Sequence, residues 1–422
     1  MTVLPRVLAG VPATGAASLG DHVAAYGPRP VLDARARREL VATVEQAGLR
    51  GRGGAGFPAA VKMYAVLRSG GEPILVANGA EGEPASAKDR LLLAAVPHLV
   101  LDGAALAAEA IGAREAIVVV PDEDEIIDAV RAAIAERATA RIDRVGLQVA
   151  AAPAATYLVG QETALIQYLA GGPAVPTASL HRPTERGLRR RPTLVQNVET
   201  LAHLALLARH GAGWFRLVGT AEEPGSALVT VSGDVAAPGV YEIALGTSAA
   251  AVIASAGGDV RRCRAVLMGG YFGAWIDRRL AAGLAVDDHD LRRHGAMLGT
   301  GVMVVLGTEA CPVAETSRVV RYLADQSAGQ CGPCSNGLPA ISDAIDRLAG
   351  GIPYQGVGED LERWCRIVRH RGACRHPDGV ATFVSSALSV FAAEFADHAR
   401  SGRCDACAAP PVLPIPHAVG AR

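Results

Sequence analysis

The sequence predicts a layered α/β domain, then a small β-rich module, then a C-terminal bundle of helices. From about residue 30 to 215, short β-branched runs alternate with helix-like segments, which is typical of an α/β domain. Residues 227–246 form two alternating strand patterns joined by a Pro-Gly turn, which predicts a hairpin. The last quarter repeats apolar residues at steps of three and four, which indicates amphipathic helices packed together.

In the first region, Ile74–Asn78, 116–121 and 145–153 are predicted strands. Between the last two, one helical face carries four apolar residues, namely Ile126, Ile127, Val130 and Ile134. The Gly, Glu and Pro residues of 221–226 predict a linker. We therefore expect a first domain at 1–220.

After the hairpin, a short helix ending at Gly257-Gly258 and a strand near Ala265–Met268 complete a predicted module at 221–305. Two later helices are each expected to bury one stripe, formed by Leu338, Ile341, Ile345 and Leu348 and by Val380, Val384, Leu388, Phe391 and Phe395. These two helices belong to a predicted helical domain at 306–402. The residues from Ala408 onward, rich in Pro and Ala, predict a disordered or lightly docked end to a tail at 403–422.

Composition excludes several function classes. The 422 residues have a formal net charge of −1, so no basic field exists to hold nucleic acid or an anionic membrane. No apolar run reaches the roughly 18–20 residues that a membrane span needs, and the start lacks the features of a signal peptide. We expect a cytoplasmic protein, free or peripheral on a membrane complex, without direct membrane insertion and without a nucleic-acid partner.

Residues 48–58, GLRGRGGAGFP, are the strongest local signal in the first half. Five glycines in nine residues, followed by Lys62, let backbone N–H groups converge on a phosphate or a flat ring. A helix that begins after Pro58 would add its positive end. The spacing fits neither the dinucleotide fingerprint nor a P-loop, so the segment predicts an anion or nucleotide site, with a structural glycine turn as the alternative.

Three further segments carry polar side chains. Residues 78–90 follow a strand, which places Asn78, Glu81 and Glu83 at the carboxyl edge of a sheet where ligands bind, although a solvated acidic turn would have the same sequence. Residues 157–165 and 191–204 each put amide or carboxylate groups at a helix start. Considered alone, these last two are typical of helix N-caps.

The cysteines point to a metal centre. Eight cysteines in an intracellular chain do not predict disulfides. Cys331-x2-Cys334, with Cys374 further on, suits one metal centre, either zinc or an iron–sulfur cluster, or a pair of redox thiols. The pair at Cys404 and Cys407 begins 70 residues after Cys334, far from zinc-ribbon spacing. The other three, Cys263, Cys311 and Cys365, are interpreted as ordinary core cysteines.

Taken together, the four polar segments resemble the flavoprotein subunit of respiratory complex I, a family shared with the corresponding subunits of NAD-reducing hydrogenases and formate dehydrogenases. The similarity runs in the same order from about Leu49 to Cys407, and residues 231–248 are similar to the family's soluble-ligand-binding β-grasp domain. The resemblance implies an α/β flavin-binding domain, a β-grasp (soluble-ligand-binding) module and a C-terminal helical-bundle iron–sulfur domain.

The resemblance also implies a site for FMN and a nicotinamide nucleotide, without a catalytic side chain. Its cofactor-binding positions are Arg52, Gly53, Gly54, Gly56, Phe57, Lys62, Asn78, Glu81, Glu83, Gly160, Gln161, Glu162, Val195, Gln196 and Asn197. Three positions depart from the family, because Ala80 and Gln161 replace acids and Gln196 replaces an asparagine. At the nucleotide subsite the family has three aromatic residues and a lysine. Phe57 matches the first aromatic, whereas Ala65 and Arg182 stand at the positions of the other two, and Ser179 stands at the position of the lysine.

These losses predict weak use of NADH. The arginines at 182, 189, 190 and 191 could instead receive the extra phosphate of NADPH, or form a solvated patch.

Cys331, Cys334 and Cys374 match three of the four cluster ligands of the family, and Ala328 stands at the first. The resemblance therefore implies a [4Fe–4S] or [3Fe–4S] cluster, completed by Cys404, Cys407 or water where a fourth ligand exists. We expect electrons to pass from NAD(H), NADP(H) or another donor through FMN to the cluster. The partner would be another redox subunit, either an iron–sulfur protein or a thioredoxin-like ferredoxin. The alternatives are a non-catalytic assembly subunit of a redox complex and a zinc-stabilised ligand-binding scaffold.

Overall fold

The computed structural model describes residues 4–154 and 156–416, which form two compact units. The first unit consists of Met1–Gly82, Ala87–Val229 and Val240–Gly246. The second consists of Glu83–Ser86, Thr230–Gly239 and Thr247–Arg422.

The first unit alternates helices with strands. In chain order its elements are α1 (Leu19–Tyr26), α2 (Ala34–Ala47), α3 (Ala59–Ser69), β1 (Ile74–Asn78), α4 (Lys88–Ala95), α5 (Pro97–Ile111), β2 (Glu115–Val120), α6 (Asp124–Thr139), β3 (Gly146–Ala151), α7 (Glu162–Leu169), α8 (Pro183–Arg186), β4 (Thr193–Asn197) and α9 (Val198–Phe215). Short 3-10 turns lie at Tyr157–Gly160 and Leu188–Arg190. The predicted α/β alternation is confirmed.

The four strands form one parallel sheet in the order β3-β2-β1-β4. One face packs on the apolar sides of α2, α5 and α9, and every residue of α5 is buried. The strand order reverses between β1 and β4, because β2 and β3 extend the sheet on one side of β1 and β4 lies on the other. Ligands in open α/β sheets bind outside the carboxyl ends of the strands at such a reversal.

A buried ionic cluster around Asp102 joins the helices of the first unit. The Asp102 carboxylate on α5 is 2.9 Å from Nε2 of His22 on α1 and 2.8 Å from Nη1 of Arg137 on α6. It also pairs with Arg209 on α9. Each of these side chains is at most 5% exposed. Four helices are therefore tied to one charge, which fixes how they pack around the sheet.

Strands β5 (Ser226–Gly233) and β6 (Gly239–Ala244) follow and include residues of both units. The remaining elements are α10 (Ala249–Ser255), β7 (Ala265–Met268), β8 (Ala274–Asp277), α11 (Arg278–Ala281), α12 (Asp288–Leu291), β9 (Val302–Leu306), α13 (Pro312–Asp325), α14 (Leu338–Ala349), α15 (Val357–Val368), α16 (His376–Val390) and α17 (Ala392–Ser401). A π-helical turn spans Pro333–Gly337, and 3-10 turns span Arg292–His294 and Asp405–Ala408.

In the second unit, the Thr230–Gly233 part of β5 pairs parallel with β9. β7 pairs antiparallel with both β9 and β8. The helices α13 to α17 follow, and α14 buries the predicted stripe of Leu338, Ile341, Ile345 and Leu348. The predicted hairpin strands, the short helix and the strand Ala265–Met268 are all present.

The second predicted C-terminal helix is wrong as a single element. It breaks at Phe391, whose φ of −112° and ψ of 32° are not helical, and α16 and α17 bend by 85°. The break occupies one residue, so the apolar repeat continues across it and hides it in the sequence. Phe391 is 2% exposed and packs edge to face on Trp275 at 5.3 Å, which the bend allows.

The described part of the tail is docked rather than disordered. The Glu315 carboxylate accepts the backbone N–H groups of Val412 (3.0 Å) and Leu413 (2.9 Å). Arg318 donates to the Leu413 carbonyl at 3.1 Å, and Leu413 is buried. Residues 417–422 of the predicted tail lie outside the described residues.

Across the described ranges, no single helix has the length and apolar composition of a membrane span. Two bent pairs, α4 with α5 and α16 with α17, reach that length and composition only when taken together.

Candidate functional site

Asn78 and Asn197 end the two strands that flank the reversal in the sheet. They are partners in the register of β1 and β4. Asn197 Nδ2 donates to the Asn78 carbonyl at 3.2 Å, and Asn78 Nδ2 donates to the Gly160 carbonyl at 2.9 Å. The carboxyl edge of the sheet is thus lined by amide groups, at the place where such sheets bind ligands.

The glycine loop lies against this edge. The Gly51 N–H donates to the Phe57 carbonyl at 2.8 Å, which closes the loop between α2 and α3. A Cβ atom on Gly53 would lie 3.2 Å from Cβ of Asn197, tighter than most real contacts. Gly54 has a φ of 110°, which side-chain-bearing residues rarely adopt. The bare backbone therefore approaches Asn197, and the Phe57 ring beside it is 44% exposed.

Lys62 on α3 joins two more of the predicted segments to the loop. Its Nζ donates to Glu162 Oε2 at 3.1 Å and to the Val195 carbonyl at 3.5 Å, and about a quarter of each side chain of this pair is exposed. The other oxygen of Glu162, Oε1, is buried and has no hydrogen-bond partner among the described residues. Gln161 caps α7 by accepting the N–H groups of Thr163 (2.8 Å) and Ala164 (2.9 Å).

The structure therefore brings all four predicted segments to one edge of the sheet. A glycine-rich loop, an exposed aromatic ring, a lysine and an unsatisfied buried acceptor fit a flat, phosphate-bearing cofactor such as FMN. Lys62 would attract the phosphate, and Glu162 Oε1 could accept a hydrogen bond from the ligand. Gln196, on the next position of β4, is buried, and its Nε2 is also without a partner among the described residues.

Three predicted cofactor residues contact protein groups. The Arg52 side chain is buried, its Nη2 donates to the Ser226 carbonyl at 3.0 Å, and its N–H donates to Thr200 Oγ1 at 2.9 Å. Glu81, with a φ of 44°, accepts the first free N–H groups of α4 with its carboxylate. Glu83 belongs to the second unit, where its carboxylate accepts the Tyr271 N–H at 2.8 Å.

A buried ionic network behind Asn197 was not predicted. Lys88 is 2% exposed, and its Nζ is 2.7 Å from Asp89, 3.0 Å from Glu199 and 3.2 Å from Asn197 Oδ1. Asp89 Oδ2 accepts Asn197 Nδ2 at 2.6 Å. The Asn197 amide is therefore held at both ends. A charged Lys-Asp-Arg start on a helix that is otherwise apolar was the signal that could have found this network.

Burial and the short distances between Lys88, Asp89 and Glu199 shift the pKa values of all three groups. Burial favours the neutral amine, yet attraction by Asp89 and Glu199 raises the pKa of Lys88. Burial raises the pKa of Asp89 to about 6. Burial also acts to raise the pKa of Glu199, but the positive charge of Lys88 outweighs this effect and lowers that pKa to about 2.

The positions proposed for the nucleotide are exposed. Ser179 and Arg182 lie on the surface, and Arg182 precedes the short helix α8. Two of the neighbouring arginines are paired with one carboxylate, since Arg189 and Arg191 lie 2.8 and 2.5 Å from Glu115. That pairing reduces the charge that this patch could offer to a phosphate.

The motif cysteines lie around the π-helical turn. The Cys331 carbonyl accepts the Ser335 N–H at 2.9 Å, and Cys334 is buried. Burial opposes ionisation of Cys331, but hydrogen bonds from the main chain of Ala373 and Cys334 lower its pKa. Burial raises the pKa of Cys334 to about 12, and the neighbouring Cys331 and Cys374 add to the shift. Cys331 and Cys374 are therefore near enough to Cys334 to affect its ionisation, and Ala328 offers no donor atom.

The remaining cysteines divide into two kinds. Cys263 and Cys365 are buried, as predicted for core cysteines. Cys311 is also buried, but its interpretation as an ordinary core cysteine is wrong, because its sulfur groups with Cys404, Cys407 and His398. Only the tertiary fold reveals this cluster, since Cys311 and His398 are 87 residues apart.

Family models match three parts of the chain. The Nuo51 FMN-binding domain matches residues 44–206, and the SLBB domain matches residues 228–259. The NADH-ubiquinone oxidoreductase-F iron-sulfur binding region matches residues 314–398. The chain therefore contains an FMN-binding domain, an SLBB domain and a C-terminal iron–sulfur binding region.

Similar proteins extend over most of the chain. The second F-type subunit of the NADH-quinone oxidoreductase of Rhizobium meliloti is 35% identical over 87% of this chain and 90% of its own length. The HndC subunit of the NADP-reducing hydrogenase of Solidesulfovibrio fructosivorans is 29% identical over 87% and 77%. Among solved structures, a chain of an NAD+-reducing [NiFe]-hydrogenase in the H2-reduced state superposes with a TM-score of 0.80 at 32% identity. That match covers 86% of this chain and 63% of the hydrogenase chain.

Proposed function

The chain belongs to the family of the F-type subunits of NADH-quinone oxidoreductases, and from this we propose that it is an electron-transfer flavoprotein subunit. It would pass electrons from a reduced nicotinamide nucleotide through FMN to an iron–sulfur cluster and then to a partner protein. The observation that carries the proposal is the convergence of four separate segments on the ends of β1 and β4.

The FMN site is assigned to the residues that converge on this edge. These are the backbone of Gly53, Gly54 and Gly56, together with Lys62, Asn78, Gly160, Gln161, Glu162, Val195, Gln196 and Asn197. When bound, FMN supplies the exchange between a two-electron donor and a one-electron acceptor. Lys62 would hold the phosphate, and Phe57 would present its exposed ring to the nucleotide.

Arg52 and Glu81 have positioning roles in this proposal. Arg52 fixes the glycine loop through Ser226, and Glu81 fixes the loop that leaves β1. Because their charged groups are engaged by the protein, their replacement should change flavin affinity through loop geometry rather than through a lost contact.

Cys331, Cys334 and Cys374 are the proposed cluster ligands. The finer architecture also belongs to the proposal: a flavin domain at 1–220, a β-grasp module at 221–305, a helical iron–sulfur bundle at 306–402 and a tail at 403–422. Relatives are subunits of NADH-quinone oxidoreductases and hydrogenases, so the partner proposed here is another redox subunit. A cytoplasmic location, free or peripheral on a membrane complex, stays a prediction.

The flavin assignment is tested by anaerobic purification, with FMN measured by fluorescence after release. The wild type should hold about one FMN per chain, and Gly54→Leu should hold none, because the side chain would block the close backbone approach. Gly112→Leu is the matched control, since Gly112 also has a positive φ of 79° but lies between α5 and β2, at the amino edge of the sheet and away from the proposed site. Flavin retained in Gly54→Leu, or lost equally in the control, would contradict the placement.

Electron transfer is tested on the same preparation. NADH and NADPH are added separately, and the flavin and cluster absorption are recorded. We expect the flavin absorption to bleach slowly, and only at high nucleotide concentration. The reason is that Ala65, Ser179 and Arg182 replace residues that stack on the adenine or contact the ribose. Bleaching at micromolar NADH would refute the argument about lost contacts. The second candidate, a non-catalytic subunit, is favoured by the missing donor at Ala328, and colourless protein without iron would establish it over the first.

A further inference from the structure

Four potential metal ligands from three separate segments meet beside α13. Cys311 precedes α13, His398 lies in the last turn of α17, and Cys404 and Cys407 belong to the turn that follows. Their ligand atoms all lie within 4.8 Å of one another. The sulfur of Cys407 is 3.4 Å from that of Cys311 and 3.7 Å from that of Cys404. His398 Nε2 is 3.6 and 3.9 Å from the sulfurs of Cys311 and Cys407.

We propose that Cys311, His398, Cys404 and Cys407 bind a single tetrahedral Zn²⁺ ion. With zinc–sulfur bonds of about 2.3 Å and a zinc–nitrogen bond of about 2.0 Å, the edges of the ligand tetrahedron are about 3.5–3.8 Å. The four separations given above, from 3.4 to 3.9 Å, agree with these edges. In a [4Fe–4S] or [3Fe–4S] cluster each thiolate binds a different iron, so the cysteine sulfurs stand farther apart than the ligands of one ion.

The surroundings of His398 support metal binding. Its Nδ1 lies 3.3 Å from the Leu348 carbonyl, which can only accept a hydrogen bond. Nδ1 is therefore the protonated nitrogen, and the lone pair of Nε2 points to the sulfurs. A ligating histidine normally donates its other ring N–H in this way.

A disulfide explains the cluster less well. A sulfur–sulfur bond is about 2.05 Å long, far below the separations here. Such a bond would also leave one of the three thiols and the oriented imidazole without a role. Cys311 and His398 are buried, whereas Cys404 is exposed, so an ion has a route of entry from the side of the tail.

The proposed zinc site would be structural rather than catalytic. Three thiolates and one imidazole complete its coordination, so no position stays open for a substrate. The ion would fasten the 404–407 turn to α13 and α17 and so anchor the tail that docks on Glu315. The inference rests on these four residues and does not depend on the flavin proposal.

The test measures zinc and iron per chain by mass spectrometry after expression in medium containing both metals. The wild type should hold about one zinc ion, and the Cys404→Ser, Cys407→Ser double variant should hold none while keeping its iron. Cys263→Ser is the matched control, a buried cysteine outside the cluster, and should keep its zinc. Cys331→Ser should lose iron and keep zinc.

Two further measurements keep the result interpretable if a variant folds poorly. Wild-type protein reconstituted with Co²⁺ should show thiolate-to-cobalt charge-transfer bands that His398→Gln weakens. A chelator should lower the melting temperature of the wild type and leave that of the double variant unchanged. Wild type that holds no zinc and gives no cobalt bands would overturn the proposal. So would a double variant that keeps its zinc, or one that loses iron in place of zinc.

Discussion

Replacing Lys88 by Met tests the network that holds Asn197 at the flavin edge. Lys88 is 2% exposed and is the cation shared by Asp89 at 2.7 Å and Glu199 at 3.0 Å. Its removal leaves two neighbouring buried carboxylates without that charge. Removing one partner of a buried ion pair costs about 3–5 kcal/mol, and we expect the free energy of unfolding at pH 8 to fall by that amount.

The pH dependence follows from the same contacts. Without the cation, burial and mutual repulsion should raise the pKa of both carboxyls, so the folded variant binds protons that the unfolded chain releases. Stability that comes from such groups is present at low pH and is lost as pH rises through the raised pKa. The deficit of Lys88→Met should therefore shrink between pH 8 and pH 5. Each unit by which a carboxyl pKa is raised corresponds to about 1.4 kcal/mol.

The assay is urea denaturation at both pH values, with FMN content measured in parallel. FMN retention should fall, because Asn197 loses the hydrogen bond from Lys88. Adding Glu199→Gln to the variant should recover part of the stability, since it removes one of the two charges. The control is Arg35→Met, which breaks an ion pair to Glu39 whose side chains are 82% and 57% exposed. That change should stay within about 0.5 kcal/mol.

The reasoning would be refuted by a Lys88→Met protein as stable as the wild type at pH 8. A deficit that grows on acidification would also contradict it, as would a double variant less stable than the single one.

Three further outcomes are expected. Asp102→Asn should lower the free energy of unfolding by about 3–5 kcal/mol in urea denaturation. Burial opposes the ionisation of Asp102, but His22 and two arginines lower its pKa. The contribution of Asp102 to the free energy of unfolding is therefore present above about pH 4 and is lost in acid, and the Asp102→Asn variant should lack this loss. Gln161→Ala should cost about 1 kcal/mol by thermal denaturation, because it removes the cap of α7. Ala328→Cys should stabilise a four-iron cluster, whereas the wild type should give a three-iron signal in electron paramagnetic resonance after oxidation; unchanged iron content and spectra would oppose this.

Local patterns were enough to predict most elements of the fold. Ile74–Asn78 and Ala265–Met268 are strands with the predicted bounds, because short apolar β-branched runs satisfy the backbone only when paired in a sheet. The break at Phe391 could not be predicted, since a one-residue interruption leaves the apolar repeat unchanged. It depends on where Trp275 lies in three dimensions.

The site shows the same division. The glycine loop and the Cys331-x2-Cys334 spacing carry their chemistry in adjacent residues, so the sequence by itself determined the likeness to a flavin and iron–sulfur protein. Only the tertiary structure decided that Arg52 points into the core, that Lys88 balances two carboxylates, and that Cys311 meets His398. The direction in which a side chain points, and the groups that it contacts, depend on segments that are distant in the sequence. These segments come together only in the packed fold.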